Sequence, residues 1–183
     1  GIENYISGIE SSGIVGAFLR TLFITVGSVL AIVIFTSMTA WYITRVKSKF
    51  NKAVYYLFLF SMIVPFQMVM FTMTSVCINF GLNSVIGIIP VYLGFGAGLS
   101  VFMFSGFVKS MPKEIEEAAM IDGCSPLKTF FMVVFPILQP TAITVAILNA
   151  MWIWNDFLLP YLFLGSADKT LSVAIQLTMQ GAY

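Results

Sequence analysis

No histidine occurs in the 183 residues, and there are only two cysteines, Cys77 and Cys124. A zinc site of the usual His/Cys kind is therefore excluded, and no metal ligand set is expected. Charge is nearly as scarce, at 9% of residues against 59% hydrophobic. A water-soluble domain carries about 25% charged residues, and a chain this short cannot enclose so many apolar side chains in one core. A formal net charge of +1 gives no basic footprint for nucleic acid. No Gly-x-x-x-x-Gly-Lys-Ser/Thr loop cradles a phosphate and no carboxylate set suits Mg²⁺, so this chain contains no machinery to hydrolyse ATP. An initiator Met and the basic start of a signal peptide are also missing from Gly1-Ile2-Glu3-Asn4-Tyr5, and the chain stops mid-segment at Gly181-Ala182-Tyr183. It reads as a piece of a longer protein.

What is abundant is long apolar sequence. Four runs, at about 17–44, 53–79, 85–107 and 140–163, reach the roughly 20 residues a helix needs to cross the hydrocarbon layer. The expected fold class is all-α: a polytopic membrane helix bundle forming a single domain over 1–183. Trp41 and Tyr42 sit near the end of the first run, where interfacial rings belong. Pro65 and Gln67 in the second predict a kink with a polar group at membrane depth. In the third, Gly94 and Gly98 are spaced for close helix approach. Leu171 to Gln180 is expected to form a short surface helix.

Orientation follows from the basic residues, because Lys and Arg near membrane helices stay cytoplasmic. Seven of the nine lie in two segments, Arg45, Lys47, Lys49 and Lys52 in one and Lys109, Lys113 and Lys128 in the other. Four alternating spans place these segments, 45–52 and 108–139, on one side, so both are expected in the cytoplasm. Cys77 and Cys124 then fall on opposite sides and cannot pair.

The 108–139 segment reads as helix, break, helix. Pro112 fits a first helical turn, and Glu114, Glu116 and Glu117 suit the positive end of the helix dipole. Gly123 suits the C-terminal cap, and Ser125-Pro126 is an N-cap and N1 pair opening a second helix that should end before Pro136. Such a projection can dock a partner: Ala118 and Ala119 leave a face for close approach, and Glu114 and Glu117 stand one turn apart to meet basic groups. The residues alone equally allow a solvated loop whose acids balance the local lysines.

Glu117-Ala118-Ala119, three residues, Gly123, nine residues and Val133-Val134-Phe135-Pro136 resemble the signature loop of ATP-binding-cassette importer permeases. Val133 and Phe135 stand where that family has Ile and Leu. Glu3-Asn4-Tyr5, Ala40 with Arg45, Met62 to Gln67, Trp154 to Pro160 and Asp168 to Val173 are similar to carbohydrate-uptake permeases, the second permease of maltose-type and glycerol-phosphate-type systems.

The resemblance implies a bacterial or archaeal cytoplasmic-membrane importer of a sugar or polyol, with one span missing at each end of this chain. It implies four kinds of partner: a second permease, two ATP-binding subunits, an extracytoplasmic solute-binding protein and the lipid bilayer. ATP and Mg²⁺ would be bound by the ATPase, with no cofactor in this chain. Glu114, Glu117, Ala118, Ala119, Asp122, Gly123 and Pro136 would form the docking loop.

A secondary transporter or channel is the alternative, but it needs buried ionisable groups along its spans. Here only Arg20 and Asp156 qualify, both near the expected outer surface. Gln67, Asn149 and Asn155 are the candidate sugar contacts, because hydroxyl-rich ligands need neutral hydrogen-bonding groups. Bonding between helices is the competing explanation for each.

Overall fold

The computed structural model describes residues 13–165 and 168–179, and every described regular element is helical. The Glu3-Asn4-Tyr5 stretch, both chain ends and Gln180 lie outside the described residues. In order, the elements are α1 (Ile14–Arg45), α2 (Lys49–Ser61), α3 (Phe66–Asn79), α4 (Ile88–Ser110) and α5 (Glu114–Ile121). A second group follows: α6 (Pro126–Thr129), a π-helical turn (Phe130–Val134), α7 (Phe135–Ile137), α8 (Gln139–Asn155), α9 (Leu158–Leu164) and α10 (Leu171–Met179).

Among the described residues only α1 and α4 are by themselves long and apolar enough to cross a membrane, at 32 and 23 residues. The kink expected at Pro65 is a full break, with α2 and α3 bent by 108°. Proline has no N–H to continue the α2 ladder and pushes the residue before it out of helical geometry. Pro65 itself is extended (φ −69°, ψ 141°), and α3 starts immediately after it. A second bend, of 77°, separates Pro126–Ile137 from α8.

Residue contacts divide the chain into two units. The first combines the described parts of Gly1–Ser28, Pro65–Tyr92 and Ala150–Tyr183. Polar ties run within it, beside the ring contacts Phe18–Trp154 and Tyr92–Trp152. Arg20 pairs with Asp168 at 3.3 Å, and the Leu171 N–H donates to Thr21 Oγ1 at 2.8 Å. The buried Tyr92 hydroxyl donates to Asp156 Oδ2 at 3.0 Å, while Asp156 Oδ1 accepts from the Leu158 N–H at 3.1 Å. Asp156, between the end of α8 and the start of α9, thus ties the Trp-Asn-Asp stretch to α4 and to the first N–H of α9. α10 is not purely a surface helix, because Val173 and Ala174 are buried.

The second unit comprises Val29–Val64 and Leu93–Asn149. Here α4 packs tightly at its glycines, but not at both positions of the expected Gly-x-x-x-Gly pair. A Cβ at Gly94 would meet nothing, whereas one at Gly98 would fall 2.8 Å from the Phe58 carbonyl oxygen of α2. One at Gly96 would fall 2.7 Å from Ile32 of α1 and from Asn149 of α8. Gly96 and Gly98 are therefore the close-approach positions.

Candidate functional site

The 108–139 segment is a helical projection built by local rules. α5 starts at Glu114, so Pro112 lies before its first turn rather than within it. Its end is a Schellman cap. The Gly123 N–H reaches Met120 O at 3.1 Å, the Cys124 N–H reaches Ala119 O at 3.1 Å, and Gly123 adopts φ +86°. This left-handed conformation costs an L side chain about 1–2 kcal/mol, which is why glycine stands there. Ser125 then caps α6, its Oγ accepting from the Lys128 N–H at 3.3 Å, with Pro126 at N1.

The helix was expected to end before Pro136, but it widens instead. Residues 130–134 form a π-turn, with the Phe135 N–H bonded to Phe130 O, and Pro136 continues into α7. Stepping the hydrogen bonds from i−4 to i−5 relieves the contact between a proline ring and the carbonyl four residues earlier.

What fixes this projection is a buried ion pair. Glu116 is 3% exposed. Its carboxylate accepts from Arg45 Nε at 2.9 Å and Nη2 at 2.5 Å, and from Trp41 Nε1 at 2.8 Å. Arg45 Nη2 also donates to the Met111 carbonyl at 3.0 Å. Trp41 and Arg45 lie four residues apart on one face of α1. The Trp41 ring additionally packs on the fully buried Phe130 at 5.6 Å. One face of α1 thus grips both halves of the projection, α5 through Glu116 and the π-turn through Phe130.

Glu116 points away from the face expected to dock. Glu114, Glu117, Ala118, Asp122, Gly123 and Pro136 are exposed, and Ala119 is half-buried. Two apolar side chains join them, Ile121 at 85% and Leu127 at 60% exposure, on either side of the Gly123 break. Sequence reasoning missed the Arg45–Glu116–Trp41 cluster and these two residues. The helical wheel carried part of the signal, because 114 and 117 share a face that 116, about 200° from 114, does not.

The candidate sugar contacts fall in both units. Asn149 is buried in the second unit and donates to Ser100 Oγ at 3.3 Å and Val145 O at 2.8 Å. Asn155, in the first unit, is exposed and donates to Met151 O of its own helix at 2.7 Å. Gln67, also in the first unit, is exposed one residue into α3. Cys77 and Cys124 are both free thiols. Among the described residues no cluster of His, Cys, Asp and Glu could hold a metal.

Long apolar helices, a proline-broken segment and a helical projection clamped to the end of α1 define an all-helical membrane protein. Its fold resembles that of a bacterial ABC transporter involved in the import of the acidic polysaccharide alginate. The TM-score is 0.75 at 22% identity, over 89% of this chain and 57% of that one. Residues 32–182 match the binding-protein-dependent transport system inner membrane component family, and the chain belongs to that family.

Relatives include the probable starch degradation products transport system permease protein AmyC of Thermoanaerobacterium thermosulfurigenes, 41% identical over 95% of this chain and 64% of that one. The multiple sugar-binding transport system permease protein MsmG of Streptococcus mutans is 35% identical over 100% of this chain and 67% of that one. The melibiose/raffinose/stachyose import permease protein MelC of Bacillus subtilis is 36% identical over 94% and 64%. The chain spans about two thirds of the length of these relatives. The match to binding-protein-dependent systems leaves the ion-coupled carrier reading without support.

Proposed function

We propose that the protein is a membrane-spanning permease subunit of an ATP-driven importer that carries a sugar or polyol across the cytoplasmic membrane. One observation supports the mechanism: a projection tied to α1 by Arg45 and Glu116, whose exposed face combines acids with Ile121 and Leu127. The names of AmyC, MsmG and MelC support the carbohydrate class. In this reading the chain pairs with a second permease, takes its energy from two ATP-binding subunits that also hold the Mg²⁺, and receives cargo from an extracytoplasmic solute-binding protein. Glu114, Glu117, Ala118, Ala119, Asp122, Gly123 and Pro136 present the docking surface. Gln67, Asn149 and Asn155 are proposed along the substrate route. α2 with α3 counts as one broken span and the fourth apolar run, about 140–163, as another, which with α1 and α4 gives four spans in a single permease domain.

Proteoliposomes holding the full-length assembly test this reading. ATP with the binding protein should drive uptake of a labelled sugar or polyol, and uptake that ignores ATP but follows an ion gradient would defeat it. Sidedness has its own check, because both basic segments should face the cytoplasm. An impermeant thiol reagent applied to intact cells should fail to label Lys49→Cys and Lys113→Cys in the full-length protein, and should label Lys169→Cys. Labelling of Lys113→Cys from outside would reverse the orientation.

A further inference from the structure

A cavity of about 480 Å³ opens where α1 ends, α2 begins and α4 ends. Four lysines line it, Lys47, Lys49, Lys52 and Lys109, together with Tyr55 and Asn51, and no carboxylate does. Among the described residues none of the four is in an ion pair. Lys109 Nζ instead lies over the Tyr55 ring, 4.9 Å from its centroid.

Four ammonium groups around one opening repel one another unless an anion joins them. Local hydrogen bonds fix the corner that carries three of them. Ser48 caps α2 by accepting from the Asn51 N–H at 3.0 Å, and buried Asn51 donates to the Val46 carbonyl at 2.6 Å, closing the α1 to α2 corner. The positive end of the α2 dipole faces the same opening. Depth is indicated by the exposed ring of Tyr42 just before the corner, since such rings mark the level of lipid headgroups. Ile43 adds an apolar wall.

We propose that this cavity binds the phosphate headgroup of an anionic glycerophospholipid, with the lysines on the phosphate and Ile43 and Tyr55 against the start of the acyl chains. The site is separate from the α5 docking face. It depends on the chain being embedded in a bilayer and not on which solute is carried.

Native mass spectrometry of the full-length transporter in mild detergent, titrated with phosphatidylglycerol or phosphatidylcholine, tests the assignment. One phosphatidylglycerol should stay bound, and phosphatidylcholine should not. Lys52→Gln or Lys109→Gln should weaken retention about 5-fold each and the pair about 30-fold. Lys52→Arg with Lys109→Arg should keep the lipid, and so should Lys169→Gln, which lies elsewhere. Equal retention of phosphatidylcholine, undiminished binding by the Gln pair, or an acidic subunit segment in the cavity would overturn the proposal. Displacement by millimolar inorganic phosphate would also overturn it, by marking a site for free anions. The comparison of the two lipids needs no variant, so it decides the matter even where the Gln pair does not assemble.

Discussion

Arg45→Ala in the full-length protein is expected to destabilise the projection by roughly 3–5 kcal/mol, the usual consequence of leaving one member of a buried ion pair without its partner. Glu116 has 4% of its side chain exposed and Arg45 14%, so water cannot replace what is lost. Trp41 remains as a single neutral donor to the carboxylate. Arg45→Lys should also be harmful, because an ammonium cannot supply the two-pronged contact made by Nε and Nη2. Glu116→Leu alone strands the guanidinium in the same way. Combining Arg45→Met with Glu116→Leu removes both charges together, and paired apolar replacement of a buried ion pair is often close to neutral. The double variant should therefore be at least about 2 kcal/mol more stable than the two single losses added together. Thermal unfolding of the purified assembly measures this, and simple additivity would show that the pair does not anchor the loop.

The second large effect concerns docking. Gly123→Val should leave membrane insertion and permease pairing near normal but weaken ATPase association about tenfold or more, with uptake falling in step. A Cβ at Gly123 meets nothing within 4 Å, so the damage is not a clash. It comes from the φ of +86°, which a β-branched residue avoids by undoing the cap and redirecting α6. Glu117→Lys should produce a defect of similar size by a different cause, reversal of an exposed charge on the docking face. Salt separates the two. Screening shortens to about 3 Å at 1 M, so rising ionic strength should change the Glu117→Lys defect and leave the Gly123→Val defect nearly constant. Normal ATPase stoichiometry and uptake in both variants would remove the docking assignment.

Much of this arrangement was legible wherever its cause is local. Pro65 breaks the second apolar run, Gly123 caps α5, and Ser125-Pro126 opens α6, each through backbone geometry set by the residue itself. The projection was legible too, from the spacing of Glu117, Gly123 and Pro136.

The parts that were not legible depend on partners distant in the chain. Arg45 and Glu116 are 71 residues apart and Tyr92 and Asp156 are 64 apart, and nothing in either local pattern names the other. The helical wheel separates Glu116 from Glu114 and Glu117, but only the position of α1 decides which of the two faces turns inward. The continuation through Pro136 escaped for a related reason. A proline is expected to end a helix, and it is the π-turn held by buried Phe130 and Val134 that lets the chain pass it. Glycine spacing likewise marked the right region of α4 but not the right residues, because which of Gly94, Gly96 and Gly98 faces a neighbour depends on where α1, α2 and α8 lie.

The central claim is that the proposed permease borrows its energy through the 114–123 projection, and affinity purification of the full-length protein from its native membrane tests it most directly. The expected result is a stable assembly containing a second permease and ATP-binding subunits in fixed stoichiometry, with a cysteine at Ile121 crosslinking to the ATP-binding subunit. Recovery of the chain without any ATP-binding partner, still able to move sugar down an ion gradient, would contradict the account.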